Sequence, residues 1–119
     1  MTEKFSKLKS ISESQIIEKY LKKLNFNKKE SFGFNNDASY LNSFKNNKNI
    51  VTNDSIVEDV DFFKYDSAQS IAQKIVTSNL SDLSAMGAKP YCYTLNLCLP
   101  KYITIDWLEI FSNYLIKLQ

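Results

Sequence analysis

The stretch from Asp66 to Pro90 constrains the fold most, because it is predicted to form one long helix with both ends marked. Asp66 is the predicted N-cap, with Gln69 as its capping-box partner. Gly87 suits the left-handed position after the last turn, and Pro90 prevents the helix from continuing. At about 100° per residue, the apolar residues share one side. They are Ala68, Ala72, Ile75, Val76, Leu80, Leu83 and Met86.

Two polar residues interrupt this apolar side. Asn79 lies near its middle, and Asp82 lies on its edge about one turn further along. Burying an amide or a carboxylate without a partner costs roughly 1–3 kcal/mol or more. We therefore expect another group to hold the Asp82 carboxylate.

Length and composition indicate a single soluble domain. The chain has 119 residues, of which 44% are hydrophobic and 24% charged, and it is long enough to bury a core. No run reaches the roughly 20 apolar residues of a membrane span, and Met1–Ser10 is too polar for a signal peptide. We expect a cytoplasmic protein without a membrane partner, with residues 1–11 as a mobile lead-in and 12–119 as the domain.

The charged and sulfur-containing residues exclude several functions. All fifteen cationic residues are dispersed lysines and the net charge is only +2, so nucleic acid is not an expected partner. Histidine is absent, which excludes histidine-based triads and imidazole zinc sites within the chain. Cys92 and Cys98 would lie roughly 20 Å apart along a strand. They are therefore predicted to be reduced structural thiols.

Two further helices flank the central one. Ser12 is predicted to open the first, with Gln15 completing a capping box. Thr104 is predicted to cap the last. Both helices carry apolar stripes. The first has Ile16, Ile17, Tyr20, Leu21 and Leu24, and the last has Trp107, Leu108, Phe111, Leu115 and Leu118.

Three segments are predicted to be β-strands. Residues 37–41 and 49–54 flank an asparagine-rich turn at 45–49 and would form a hairpin. Residues 91–99 alternate between apolar and polar side chains, and Pro100 ends them. The predicted fold class is α+β, a small mixed sheet with helices packed on it. Three strands are too few for these apolar faces, so further chain or a second subunit should complete the sheet.

Carboxylates gather where these elements meet. Asp37 and Asp54 would lie at the same end of the hairpin, and Asp82 lies on the central helix. Without histidine or paired cysteines, converging carboxylates favour a hard cation such as Mg²⁺ or Ca²⁺. The alternative is that they are solvated loop acids and a helix edge, and the spacing leaves both open. The intervening loop adds Glu58, Asp59 and Asp61.

Three segments resemble thiamine-monophosphate kinase, in the family's order and spacing. Residues 79–90 resemble its NLSDLAAMGA-x-P signature. Residues 52–62 resemble its T-T-D-x-L-V-E-G-V-H-F segment, and residues 33–38 its G-x-G-D-D-A segment. The resemblance covers about residues 12–118.

The resemblance implies both a fold and an activity. The fold is the N-terminal domain shared with aminoimidazole ribonucleotide synthetase and selenophosphate synthetase, whose sheet is completed by homodimerisation. The activity is transfer of the γ-phosphoryl group of ATP to thiamine monophosphate, giving thiamine diphosphate, with several Mg²⁺ ions between the phosphates. Such transfer depends on positioning and charge neutralisation.

The motifs also imply roles for particular residues. Asp37 matches a metal-binding aspartate, and Asp82 matches one that bridges several metals. Asp61 occupies the position of a histidine that meets thiamine monophosphate, while Asn79 is expected to support its helix through hydrogen bonds. No residue of this chain is assigned a catalytic role. The metal-binding T-T-D is matched by Thr52, Asn53 and Asp54.

The chain also departs from the family pattern. Asn36 replaces the first aspartate of a pair, Asp59 replaces a glycine and Asp61 replaces the histidine. The family's G-G-D-T segment and second domain, which complete the ATP site, are not in this sequence. We expect the chain alone to be incomplete for catalysis and to need that portion, in the same polypeptide or as a separate C-terminal fragment. The alternatives are a non-catalytic remnant, a split-gene dimerisation module, or a superfamily enzyme with another substrate.

Overall fold

The computed structural model describes residues 11–26, 28–42, 46 and 48–119. The predicted lead-in lies outside these residues except for Ile11, and so does part of the predicted turn at 45–49. No helix in the described ranges is long and apolar enough to cross a membrane. The elements are α1 at Glu13–Ile16, which continues as a π turn at Ile17–Leu21 and 3-10 turns at Lys22–Asn25, a 3-10 segment at Lys29–Phe34, α2 at Ala68–Ala85 and α3 at Ile105–Leu118.

The capping box predicted for α1 is confirmed. The Gln15 backbone N–H donates to Ser12 Oγ at 3.3 Å, and the Ser12 N–H donates to Gln15 Oε1 at 2.8 Å. Tyr20, in the π turn that continues α1, is buried at 3% exposure. The helical run ends at Phe26, whose φ of +48° is left-handed.

The N-cap of α2 lies one residue later than predicted. Ser67 is the N-cap, because its hydroxyl accepts from the Ser70 N–H at 3.1 Å. The Asp66 carboxylate instead accepts from the Phe63 N–H at 2.9 Å and closes the preceding turn. Both residue types are good caps, and this competing turn decides between them.

The predicted end of α2 is confirmed. Gly87 has a φ of +63°, and its N–H donates to the Ser84 carbonyl at 3.0 Å. The Ala88 N–H donates to the Leu83 carbonyl at 2.9 Å. These two bonds form the Schellman pattern that closes helices through a left-handed glycine.

The core lies between α2 and α3. Trp107 stacks on Phe111 with ring centroids 5.0 Å apart, and the Thr104 hydroxyl caps α3 by accepting from the Trp107 N–H. Met86, predicted on the apolar side of α2, is 65% exposed because it lies beyond the last helical turn. Ile71 was not among the residues predicted to face the core. The buried cluster is Ala68, Ile71, Ala72, Phe111 and Leu115.

The predicted small mixed sheet is wrong for the described residues. They contain no strand, and Glu58 and Phe62 form an isolated β-bridge. Side chains alternate between exposed and half-buried along 51–58 and 94–99, as a strand pattern requires. The alternation of apolar and polar residues determines which side chains face the helices. A β-ladder also needs a second extended segment whose backbone can accept and donate hydrogen bonds. The Tyr40 N–H donates to the Glu30 carbonyl at 3.2 Å, so this part of the predicted hairpin bonds the 3-10 segment instead.

Candidate metal and substrate site

The segment 52–54 lies against α2 where the two unexpected polar residues are. The Thr52 hydroxyl donates to Asp82 Oδ2 at 3.0 Å. The Asp54 N–H donates to Asn79 Oδ1 at 3.1 Å, and Asn79 Nδ2 donates to the Ile75 carbonyl at 2.9 Å. The partner expected for the Asp82 carboxylate is therefore a hydroxyl. Asn79 supports both its own helix and the neighbouring segment through hydrogen bonds, as predicted.

Ser78 is a site residue that the sequence analysis missed. Its hydroxyl donates to Asp54 Oδ2 in a short hydrogen bond, and both residues are half-buried. Ser78 lies one helical turn before Asp82, so the two side chains share a face of α2. The only sequence signal for Ser78 is its place next to Asn79 and one turn before Asp82.

The donor atoms at this place are all oxygens. Two carboxylates, Asp54 and Asp82, are accompanied by the hydroxyls of Thr52 and Ser78. Oxygen ligands of this kind suit Mg²⁺ or Ca²⁺. The chemistry of the donor set therefore fits a hard cation, and no soft or nitrogen ligand accompanies it in these contacts.

The structure brings together two of the three predicted metal carboxylates. Asp37 lies in an exposed stretch after the 3-10 segment, and among the described residues no hydrogen bond joins it to Asp54 or Asp82. Within the described part of the chain, no group of three histidine, cysteine, aspartate or glutamate side chains is placed to hold a metal ion. Asn53 is exposed between its neighbours on the same segment.

Residues 57–62 form a tight turn that we call the acidic loop. The Val57 N–H donates to Asp61 Oδ2 at 2.8 Å, and the Asp61 N–H donates to the Val57 carbonyl at 2.8 Å. The Asp59 N–H donates to the Phe62 carbonyl at 2.8 Å. Asp59 has a φ of +64°, in the region that glycine adopts without strain. This conformation explains why a glycine suits the same place in the resembled motif.

The acidic loop is also attached to α2 and to the turn that precedes α3. The Lys74 ammonium on α2 donates to the Asp61 carbonyl. The Tyr102 hydroxyl, just before α3, donates to the Glu58 carboxylate. That hydrogen bond is the main reason that the pKa of Tyr102 is raised to about 12, with burial and the charges of Glu58 and Asp59 adding to it.

A separate groove lies between the outer surfaces of α2 and α3. Its volume is about 290 Å³. None of the predicted site residues lines it, so it is not part of the candidate site. The lining residues are Gln69, Ile110, Asn113, Tyr114 and Lys117.

Residues 35–116 match the family described as AIR synthase related protein, N-terminal domain. The chain belongs to this family. The matched range of this AIR synthase related domain contains every predicted metal and substrate residue, from Asp37 to Asp82. No solved structure gives a significant match to the chain.

Curated relatives of this AIR synthase related domain are named thiamine-monophosphate kinase. The protein of Buchnera aphidicola from Schizaphis graminum is 37% identical over 110 residues, which are 90% of this chain and 33% of the relative. The protein of Buchnera aphidicola from Acyrthosiphon pisum is 36% identical over 111 residues, with the same shares. The Escherichia coli K12 protein is 36% identical over 86 residues, which are 72% of this chain and 26% of the relative.

The motif resemblance to the kinase family is thus confirmed. The chain spans about a third of the length of its Buchnera relatives, 33% in both cases. A kinase requires a phosphoryl donor such as ATP.

Proposed function

We propose that the chain is the N-terminal part of a thiamine-monophosphate kinase, which uses ATP to convert thiamine monophosphate to thiamine diphosphate. One observation supports this most: the Thr52–Asp82 and Asp54–Asn79 hydrogen bonds join two of the resembled motifs at one place. Both motifs lie in the range related to proteins named as that kinase. A phosphoryl-transfer site needs converging oxygen ligands more than a covalent nucleophile.

The metal part of the proposal assigns Mg²⁺ to this place. Asp54 and Asp82 would supply the carboxylates, with Thr52, Asn53 and Asp37 as the remaining ligands. Mg²⁺ supplies neutralisation of phosphate charge when bound. The chain's own contribution is positional: the two hydroxyls orient the carboxylates, and Asn79 fixes the segment 52–54 on α2.

The substrate part of the proposal assigns a contact to Asp61. Its Oδ2 accepts from the Val57 N–H, so a substrate contact falls to Oδ1. A carboxylate repels the phosphate of thiamine monophosphate, and like charges in one site are destabilising. We therefore expect Asp61 to face the amine-bearing pyrimidine end of the substrate.

The proposal includes a homodimer, completion of the ATP site by a C-terminal portion, and a cytoplasmic location. The extended stretches of this chain present apolar side chains outward, such as Val51 at 85% and Val57 at 55% exposure. A second copy that packs on these side chains would remove them from water.

A second candidate function is a non-catalytic remnant or dimerisation module. It is favoured by one observation, that no third carboxylate joins Asp54 and Asp82 in the described part of the chain. The substitutions Asn36 and Asp61 in the resembled motifs point the same way.

Titration calorimetry of the 119-residue chain tests the proposal against this alternative. We expect Mg²⁺-dependent binding of ATP or thiamine monophosphate by the wild type, and its loss in Asp82→Asn. Glu109→Gln, which removes a charge from an exposed position on α3, is the control and should bind normally. Unaltered binding by Asp82→Asn would refute the metal assignment, and no binding of thiamine monophosphate by the wild type would favour the remnant.

A further inference from the structure

The acidic loop is the end of a longer contact along one face of α2. Thr52 contacts Asp82, Asp54 contacts Ser78, and the Asp61 carbonyl contacts Lys74. The three α2 residues, at positions 74, 78 and 82, are each four apart and therefore lie one above another on the helix. Lys74 is two turns, about 12 Å, from Asp82 along the axis. The lysine thus attaches the loop at the end of the same strip that holds the candidate metal ligands.

The other side of the acidic loop is attached just before α3. The Tyr102 hydroxyl donates a hydrogen bond to the Glu58 carboxylate. The Lys64 ammonium lies 4.7 Å from the centroid of the Tyr102 ring. The next residue, Ile103, is only 7% exposed, and its N–H donates to the Pro100 carbonyl at 3.1 Å. Tyr102 therefore lies on a turn that the buried Ile103 side chain holds in place.

The acidic loop needs such attachments because its own geometry is unfavourable. Glu58, Asp59 and Asp61 place three carboxylates within four residues, where like charges repel. Asp59 also holds a left-handed backbone conformation, which costs free energy for a residue with a side chain. The Lys74 hydrogen bond to the Asp61 carbonyl and the Tyr102 hydrogen bond to the Glu58 carboxylate offset part of this cost.

We propose that Lys74 on α2 and Tyr102 on the turn before α3 clamp the acidic loop from two sides and are positioning residues for the substrate side of the site. The clamp is inferred from these contacts alone. The inference that the loop faces the substrate rests on the proposed function. Neither residue is among those to which the motif resemblance gives a role. In this account Asp61 reaches the substrate only because its backbone is held by Lys74.

Amide hydrogen exchange of the ligand-free chain tests the clamp. In Lys74→Met and in Tyr102→Phe, exchange of the Val57 and Asp61 amides should accelerate about three- to tenfold, because each variant removes a charge-assisted hydrogen bond. Lys74→Arg should restore most of the protection. Unchanged exchange at both amides in both variants would overturn the clamp.

Matched controls use exposed residues of the same types. Lys89→Met and Tyr65→Phe change residues that are exposed, Tyr65 at 92%. Exchange of the loop amides should stay at the wild-type rate in both. Equal acceleration in these controls would mean that the loop responds to any loss of charge or hydroxyl, which would also overturn the clamp.

Binding of thiamine monophosphate tests the positioning role. The Kd should rise several-fold in Lys74→Met and recover in Lys74→Arg, while the Kd for Mn²⁺ alone stays unchanged, because the hydrogen bond of Lys74 goes to the Asp61 carbonyl and not to a proposed metal ligand. Faster exchange with an unchanged Kd would overturn the positioning role. If the wild type binds no thiamine monophosphate, the proposed function and the positioning role both fail, and the exchange data alone decide the clamp.

Discussion

Single residues carry most of the evidence for the site, and Asp82 is the clearest case. A carboxylate at the edge of an apolar helix face was expected to have a partner, because an unpaired one is costly to bury. Asp82 has a partner but is exposed, so burial is not the reason for its hydrogen bond. The structure provides the Thr52 hydroxyl. The existence of a partner for Asp82 was predictable from α2 alone. The Ser78–Asp54 contact was not predictable, because helical periodicity does not specify which residue of another segment a side chain contacts.

Asn79 offers a direct test at this scale. Its side chain accepts from the Asp54 N–H and donates to the Ile75 carbonyl in a half-buried position. Asn79→Ala should lower the free energy of unfolding by about 1–3 kcal/mol, because it leaves the Asp54 N–H unpaired, whereas the Ile75 carbonyl keeps its helical bond to the residue 79 N–H. Urea denaturation measures this. Asn96→Ala, at an exposed position, is the control, and an equally small effect in both variants would contradict the assigned role.

The hydrogen bond from Tyr102 to Glu58 predicts that the stability of the fold depends on pH. The pKa of Tyr102 in the folded chain is raised to about 12, against about 10 in the unfolded chain. The hydrogen bond to Glu58 therefore contributes stability fully below about pH 10 and loses it as the pH rises to about 12. Ultraviolet titration should show a late phenolate component that disappears in Tyr102→Phe.

The cause of that shift can be checked separately. Glu58→Gln removes the charged acceptor, so the pKa of Tyr102 should fall toward its ordinary value. Tyr91 and Tyr93 also have raised pKa values, chiefly because of burial, and their titration should not change in this variant. A late component that persists unchanged in Glu58→Gln would contradict the assignment.

At the scale of elements, the helices were predicted better than the strands. The capping box at Ser12 and Gln15 and the left-handed Gly87 follow from a few neighbouring residues, and local signals of this kind are complete in the sequence. The start of α2 was wrong by one residue because Asp66 is drawn into a hydrogen bond with the Phe63 N–H. The predicted sheet was wrong because pairing depends on a distant backbone that alternation does not identify.

Gly87 tests the account of how α2 ends. An added Cβ would have nothing within 4 Å, so substitution costs only the left-handed backbone conformation. Gly87→Ala should lower the free energy of unfolding by about 1–2 kcal/mol. Gly87→Asn should cost less, because asparagine tolerates this conformation. Equal losses in the two variants, measured by thermal or urea unfolding, would contradict this explanation.

At the scale of the whole molecule, α2 joins the core to the candidate site. One part of the helix packs on α3 through Ala68, Ile71 and Ala72. A different face, at positions 74, 78 and 82, receives residues 52–61. The sequence predicted that Asp54 and Asp82 belong to one metal site, and the structure places both against the junction of this segment with α2. Asp37 stays a prediction, because its place depends on a pairing that the alternating pattern does not specify.

The most direct test of this account is where a paramagnetic cation binds. Mn²⁺ takes oxygen ligands, as Mg²⁺ does, and broadens the NMR signals of nearby amides. We predict that amides of residues 52–54 and 78–82 broaden first in the wild type and in Glu109→Gln, and do so much less in Asp82→Asn. Broadening confined to the acidic loop, or unaffected by Asp82→Asn, would contradict a metal site at Asp54 and Asp82.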